Sequence, residues 1–247
     1  SYSVANASKI VTISESSKLD IIKYYKVDPK KIVVTYLGYD TETFQPVTDR
    51  NKIQEVMKKY NIAQPYILYL GTLQPRKNIV RLIQAFKLLT SDLAISKLGL
   101  KLVIVGKKGW LYDEIFAEVK KLNMEEIVVL TGYIQDEEKA AMLSGALLYT
   151  LPSLYEGFGI PIIEAMACGT PVVVSRISSL PEVVGEYGIL IDPYSVPSIG
   201  EGLKLLVTDT ELRERMSQQG LKWVKQFDWI HCARITLGVL EGVGRKE

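Results

Sequence analysis

Between Tyr66 and Pro193, six short runs that are apolar nearly throughout alternate with segments whose apolar residues recur at helical spacing. Few folds accept that pattern. The runs are Tyr66 to Gly71, 101–106, 126–132, 147–152, 171–175 and 188–193. They do not alternate apolar with polar residues, as a strand with one wet face would. Strands apolar on both faces are expected when helices cover both sides of a parallel sheet. The alternation therefore predicts an α/β fold with a doubly wound, Rossmann-like parallel sheet. Ile79, Leu82, Ile83, Phe86 and Leu89 mark one helix, with Asn78 as its N-cap. Asp136 is expected to cap a helix through Ala146, and Ile160 to Cys168 reads as a short helix. Two charged helices follow, at 197–208 and 210–226. A last one starts near Trp229, with Ala233, Leu237 and Leu240 on one face.

The first 48 residues read differently. Segments 9–14, 16–26 and 31–38 form a strand–helix–strand pattern, and Phe44 to Asn51 reads as a linker. One βαβ unit cannot bury both faces of its strands, so it either docks on the main domain or is the tail of another domain, and residues 1–40 are expected to expose apolar surface or to be covered by a neighbouring copy. Three segments follow: 1–48 with the linker, a ligand-binding domain at 49–226, and a terminal helix at 227–247. With 47% apolar and 23% charged residues among 247, the chain can build a full core, which excludes a disordered or collagen-like chain. The charges nearly cancel, at a net +2, which gives no support to a nucleic-acid partner. Two cysteines, Cys168 and Cys232, exclude a disulfide scaffold, and a single His231 excludes a His-rich metal site. Both cysteines read as small apolar residues and His231 as structural. The longest uncharged run, Ala140 to Tyr155, has 16 residues and includes Gly and Pro, too short and broken for a transmembrane segment. Ser1 stands where a Met would start, and the expectation is a piece of a longer protein.

The chemistry-bearing stretch runs from Ser153 to Pro171, after a strand and into a helix. Ligands of open α/β sheets bind at the carboxyl ends of strands. Gly157 and Gly159 permit close backbone approach, and Pro161 suits a first helical turn. N–H groups and the helix dipole then make an anion site near Gly159 and Ile160. Glu156 and Glu164 flank it. Carboxylates on either side of a phosphate cradle suit a ligand with a diphosphate in the middle and hydroxyls at both ends, the layout of a nucleotide sugar. Charge-assisted bonds from vicinal hydroxyls are roughly twice as strong as neutral ones.

These residues carry a resemblance. Glu156 and Glu164 match the E-x7-E motif of retaining glycosyltransferases with the GT-B fold, and EGFGIPIIEAMACGTPVVVS (156–175) resembles glycosyltransferase family 4, also called group 1. GTLQPRKNI (71–79) is similar to that family's phosphate-binding loop, and Phe227-Asp228-Trp229 to the opening of its last helix. The resemblance implies the C-terminal, donor-binding half of a GT-B enzyme, with residues 1–40 as the end of the acceptor domain. It implies that Glu156 faces the donor sugar beside Gly157, Phe158, Gly159 and Ile160. Glu164 would hold the ribose hydroxyls, and Lys77 the diphosphate. Where the family usually has Arg after the loop's first glycine, Gly71, this chain has Thr72, and Arg76 is expected to supply the charge. Gly106, Lys107, Gly132 and Tyr133 resemble the edges that border base and phosphates.

The implied reaction is retaining, metal-independent transfer of a hexose from a GDP-sugar or UDP-sugar to a glycan or lipid-linked acceptor, which the other domain binds. The loop's character leans toward mannose. A cytoplasmic enzyme, peripheral at the inner face of the membrane when whole, fits that role. The alternatives are a non-catalytic nucleotide-binding module and a GT-B enzyme of epimerase type.

Overall fold

The computed structural model describes residues 2–244. A first helix, α1 (Tyr2–Asn6), precedes the βαβ unit expected at the N-terminus: β1 (Ile10–Thr12), α2 (Glu15–Tyr25) and β2 (Ile32–Val34). Ser14 caps α2 by accepting from the Ser17 N–H. β1 and β2 pair in parallel as a separate sheet, each with three residues rather than the longer runs the sequence suggests.

The linker is not free. Phe44 is buried in the core, and the Val47 N–H donates to Ser144 Oγ at 3.0 Å. A helix the sequence reading missed, α3 (Arg50–Lys59), begins inside it, capped by Asp49, whose side chain accepts from the Asn51 N–H. Its few apolar residues, Ile53, Val56 and Met57, fall at helical spacing in a polar segment.

The main sheet has all six expected strands: β3 (Tyr66–Leu70), β4 (Lys101–Val105), β5 (Val128–Gly132), β6 (Leu148–Leu151), β7 (Val172–Ser175) and β8 (Ile189–Ile191). All are parallel, in the order β5-β4-β3-β6-β7-β8. β3, β6 and β7 are buried at every position, whereas the edge strands β5 and β8 are partly exposed. The helices between strands are α4 (Ile79–Thr90), α5 (Leu93–Ser96), α6 (Asp113–Lys121), α7 (Asp136–Gly145), α8 (Ile160–Ala167) and α9 (Leu180–Val184). α10 (Val196–Thr208), α11 (Thr210–Trp223) and α12 (Trp229–Gly244) follow. From β3 the chain winds outward to β5, then returns to β3's other side at β6. Such a reversal leaves a crevice at the strands' carboxyl ends, where ligands bind.

One capping expectation is corrected, and the other holds in position but not in its side-chain bond. Gln135, not Asp136, occupies the N-cap of α7, its N–H donating to Glu138 at 3.3 Å. Asp136 is the first helical residue and pairs with Lys139 at 2.6 Å. Asn78 stands at the N-cap of α4, but its side chain accepts from none of the helix's backbone N–H groups. The buried Asn78 amide instead donates to the carbonyls of Pro152 at 2.9 Å and Pro193 at 2.7 Å, and its oxygen accepts from Arg81. It thus braces the segments after β3, β6 and β8, because a buried amide must be satisfied somewhere.

The terminal helix meets the N-terminal unit. Thr35 Oγ1 donates to the Cys232 carbonyl at 3.3 Å. Gly38 lies so close that an added Cβ would sit 2.3 Å from the Trp229 nitrogen and 2.8 Å from the Asp228 carbonyl carbon. Backbone atoms cannot yield as side chains do. Gly38→Ala is therefore expected to cost about 1–3 kcal/mol, lowering the thermal midpoint by roughly 2–10 °C. Hydrogen-exchange protection should fall first in 31–38 and 229–236, and an unchanged midpoint would contradict this. The Ala233, Leu237 and Leu240 face of α12 points to solvent, with Leu237 and Leu240 more than half exposed, and so do Leu19 and Tyr24 of α2.

Candidate functional site

Because β3 and β6 are neighbours, the segments that leave them run side by side. The Leu154 N–H donates to the Arg76 carbonyl at 2.8 Å, and Arg76 Nη1 donates to the Tyr155 carbonyl. Pro75–Lys77 form a single 3-10 turn, which aims two successive cations at the other segment. Lys77 Nζ lies 2.5 Å from Glu156 Oε1, and Arg76 Nη1 lies 2.9 Å from Oε2. Each carboxylate oxygen thus has its own cation, and Glu156 is only 7% exposed. Burial alone would raise its pKa; Lys77, backed by Arg76, outweighs that and holds the carboxyl below the ordinary value.

The Glu156 backbone is held as well. Its N–H donates to Ser178 Oγ at 3.0 Å, and the buried Ser179 hydroxyl donates to the carbonyls of Glu156 at 3.0 Å and Phe158 at 3.1 Å. Ser178 adopts a left-handed φ of +54°, a conformation that is costly outside glycine and persists where surroundings impose it. Gly157 and Gly159 follow, with Gly159 at a φ of +101° as the N-cap of α8. In the first turn of this helix Pro161 has no N–H and the Ile162 N–H donates to the Gly159 carbonyl at 2.9 Å, which leaves the Ile160 N–H without a partner inside it. Ile160 opens the helix half-buried. The Phe158 side chain is core: the ring is buried and stands 5.9 Å from Tyr36 and 5.7 Å from Phe227.

Glu164 lies just over one turn into α8. It is half-buried, and its carboxylate makes no hydrogen bond or ion pair with the other described residues, whereas its carbonyl accepts from the Cys168 N–H at 3.1 Å. Burial pushes its pKa up to about 7; Lys139 opposes this, while Asp136 and Asp40 add to it. Lys139 also lines a cavity of about 170 Å³ together with Gly71, Thr72, Gly106, Lys107, Tyr133 and Ile134. The edge residues expected from sequence therefore converge, except that Gly132 lies beside the cavity at a φ of +73°. Gly106 makes the approach possible, since a Cβ there would lie 1.9 Å from the Gly71 carbonyl oxygen. Lys107 Nζ sits 4.4 Å from the Tyr133 ring centroid, a cation–π contact that keeps its charge at the cavity edge. Thr72 brings no charge here; the cation nearest in sequence to its loop is Arg76, on Glu156. A larger cavity of about 360 Å³ adjoins the same loop between α4 and α6, lined partly by Asn78, Arg81 and Glu114.

Sequence reasoning missed Lys139, the Asn78 brace and the Ser178–Ser179 bracket. Only Lys139 had a visible signal, as the base three residues after Asp136 in a first helical turn.

The chain can be set beside known proteins. Residues 52–223 match the family described as glycosyl transferases group 1. The chain is 36% identical over 236 residues to O-antigen chain mannosyltransferase B of Escherichia coli, covering 95% of this chain and 61% of that protein. It is 33% identical over 237 residues to the MMP alpha-(1->4)-mannosyltransferase of Mycolicibacterium hassiacum, covering 94% and 54%. This chain thus spans about half to three-fifths of those relatives' length. Anabaena HepE, solved in complex with UDP and glucose, has the same fold, with a TM-score of 0.85 at 21% identity over 97% of this chain and 64% of that one. With the family match running from α3 to the end of α11 and the parallel sheet in place, the chain belongs to the group 1 glycosyltransferases, with the α/β fold of a GT-B domain.

Proposed function

We propose that this chain is the donor-binding part of a retaining, metal-independent hexosyltransferase. It would transfer mannose from a nucleoside-diphosphate sugar, GDP-mannose first, to a glycan or lipid-linked acceptor. The observation that carries the reading is the Glu156 carboxylate, buried at the reversal of the sheet between Lys77 and Arg76. The mannosyltransferase relatives support the sugar.

In this reading the nucleoside occupies the cavity between Gly71, Gly106 and Tyr133, with ribose hydroxyls on Glu164. The diphosphate lies over the first turn of α8 within reach of Lys77 and Arg76. As the bond from the anomeric carbon to the diphosphate oxygen breaks, charge grows on that oxygen. Two cations and the helix N-terminus, fixed beforehand, stabilise it without reorganisation. Binding of the diphosphate draws Lys77 and Arg76 from Glu156, freeing its carboxylate for the donor sugar. Residues 1–48 carry the end of the acceptor-binding domain. No helix among the described residues is long and apolar enough to cross a membrane.

Titration calorimetry with GDP and UDP, beside a donor-plus-acceptor assay, tests the reading. The chain should bind GDP and transfer sugar poorly by itself. Binding of neither nucleotide refutes the donor site, and robust transfer by these 247 residues refutes the missing-acceptor reading. Glu156→Gln separates the carboxylates: GDP affinity should stay within about threefold, while turnover in the enzyme with both domains falls about a hundredfold or more. Loss of GDP binding in that variant would reverse the two glutamates' roles.

A further inference from the structure

The segment after β7 faces two ways. Ser178 and Ser179 hold the backbone of Glu156 and Phe158. Three residues on, in α9, Glu182 turns to the N-terminal unit. Its Oε2 accepts from the Glu15 N–H at 2.9 Å and from the Tyr36 hydroxyl at 3.0 Å, and its Oε1 accepts from the Ser16 N–H at 3.0 Å. One carboxylate thus gathers three donors, all from the β1-α2-β2 unit and its exit.

The same unit reaches the Glu156 segment directly. Ser17 Oγ donates to the Gly157 carbonyl at 3.4 Å, and the Tyr155 hydroxyl donates to Asp20 Oδ2 at 2.7 Å. The Tyr36 ring, held at its hydroxyl by Glu182, packs between Phe158 and Phe227, at 5.9 Å from each. Residues on both sides of Glu156 therefore depend on where α2 and Tyr36 sit. Glu182 fixes both through its three bonds.

We propose that Glu182 is a positioning residue: it clamps the N-terminal βαβ unit onto the donor domain, and through Tyr36, Ser17 and Asp20 sets the placement of Glu156. The inference rests on the reading above only in assigning Glu156 to the donor sugar. The clamp holds the unit, read as the end of the acceptor domain, in register with that carboxylate. Glu182 touches no part of the nucleotide cavity, so its loss leaves nucleotide binding intact.

The test pairs amide hydrogen exchange on the 247-residue chain with kinetics of the full-length enzyme on GDP-mannose. In Glu182→Ala, exchange should quicken at least tenfold both at residues 14–17 and at 155–158. GDP affinity should stay within twofold, and kcat should fall about tenfold with KM for the donor unchanged. Glu182→Gln keeps one acceptor oxygen, which can take the Glu15 and Tyr36 donors, and should recover most of the loss. Faster exchange at 14–17 alone, with 155–158 unchanged, overturns the proposal, because the clamp then fastens the unit without placing Glu156. So does faster exchange at 155–158 with kcat unchanged. If the alanine variant no longer binds GDP and has therefore unfolded, Tyr36→Phe decides by the same criteria, with effects of about threefold. Failure of the parent chain to bind GDP or UDP refutes the donor-site reading instead, and the exchange result still decides the clamp.

Discussion

Lys77→Ala is expected to lower turnover of the enzyme with both domains about 10²–10³-fold, the loss typical when one preorganised stabiliser of developing charge is removed. It also weakens GDP about tenfold or more, since the diphosphate is present in nucleotide and transition state alike. The larger share falls on kcat, because leaving-group charge is greatest there. Arg76 remains and limits the damage. The substitution also strands Glu156, a carboxylate 7% exposed that now shares its charge with Lys77 at 2.5 Å. Breaking a buried pair by removing one partner costs about 3–5 kcal/mol, and less here because Arg76 stays. The pH dependence has a definite sign. Glu156 has a lowered folded pKa, so its pairing contributes stability above the ordinary carboxylate value and loses it as pH falls through the folded value. Parent and variant should therefore differ most near neutrality and converge in acid. Urea midpoints at pH 7 and pH 4, GDP calorimetry and kcat decide it. Unchanged kcat with weaker GDP binding would make Lys77 a binding residue only.

On the proposed role, Glu164→Ala is expected to weaken bare GDP about 10- to 150-fold, the loss of a charged hydrogen bond of about 1.5–3 kcal/mol to the ribose hydroxyls. Stability should move the other way. Burial sets the Glu164 pKa at about 7, against an ordinary 4.5. Between those values the folded protein keeps the proton that the unfolded chain releases, so stability falls as pH rises across this window and stays low above it. Glu164→Gln removes that dependence. It should be more stable than the parent at pH 8, by on the order of 3 kcal/mol, and equal to it near pH 4. Parent GDP affinity should rise as pH passes upward through about 7, because hydroxyls donate best to the ionised carboxylate. A Glu164→Gln variant with the parent's stability at both pH values would show that this carboxyl carries no burial penalty.

The sequence by itself determined the sheet. Strands that are apolar on both faces announce their own burial, and the helical period between them leaves a parallel α/β layering as the consistent outcome. It also determined the motif, since Glu156 and Glu164 lie on one continuous strand–loop–helix segment whose local spacing sets their relation. Periodicity reports how buried an element is, not which element lies beside it. The meeting of Lys77 with Glu156, 79 residues apart, follows from β3 and β6 being neighbours at the reversal of strand order, which only the tertiary structure decided. The same holds for Asn78, a helix cap by sequence and a three-way brace in space, and for Phe158, a motif residue whose ring belongs to the core. It holds again for Glu182, whose partners lie 146 to 167 residues away in the N-terminal unit. Buried polar groups must find partners wherever the fold brings donors and acceptors together, and that depends on packing between elements.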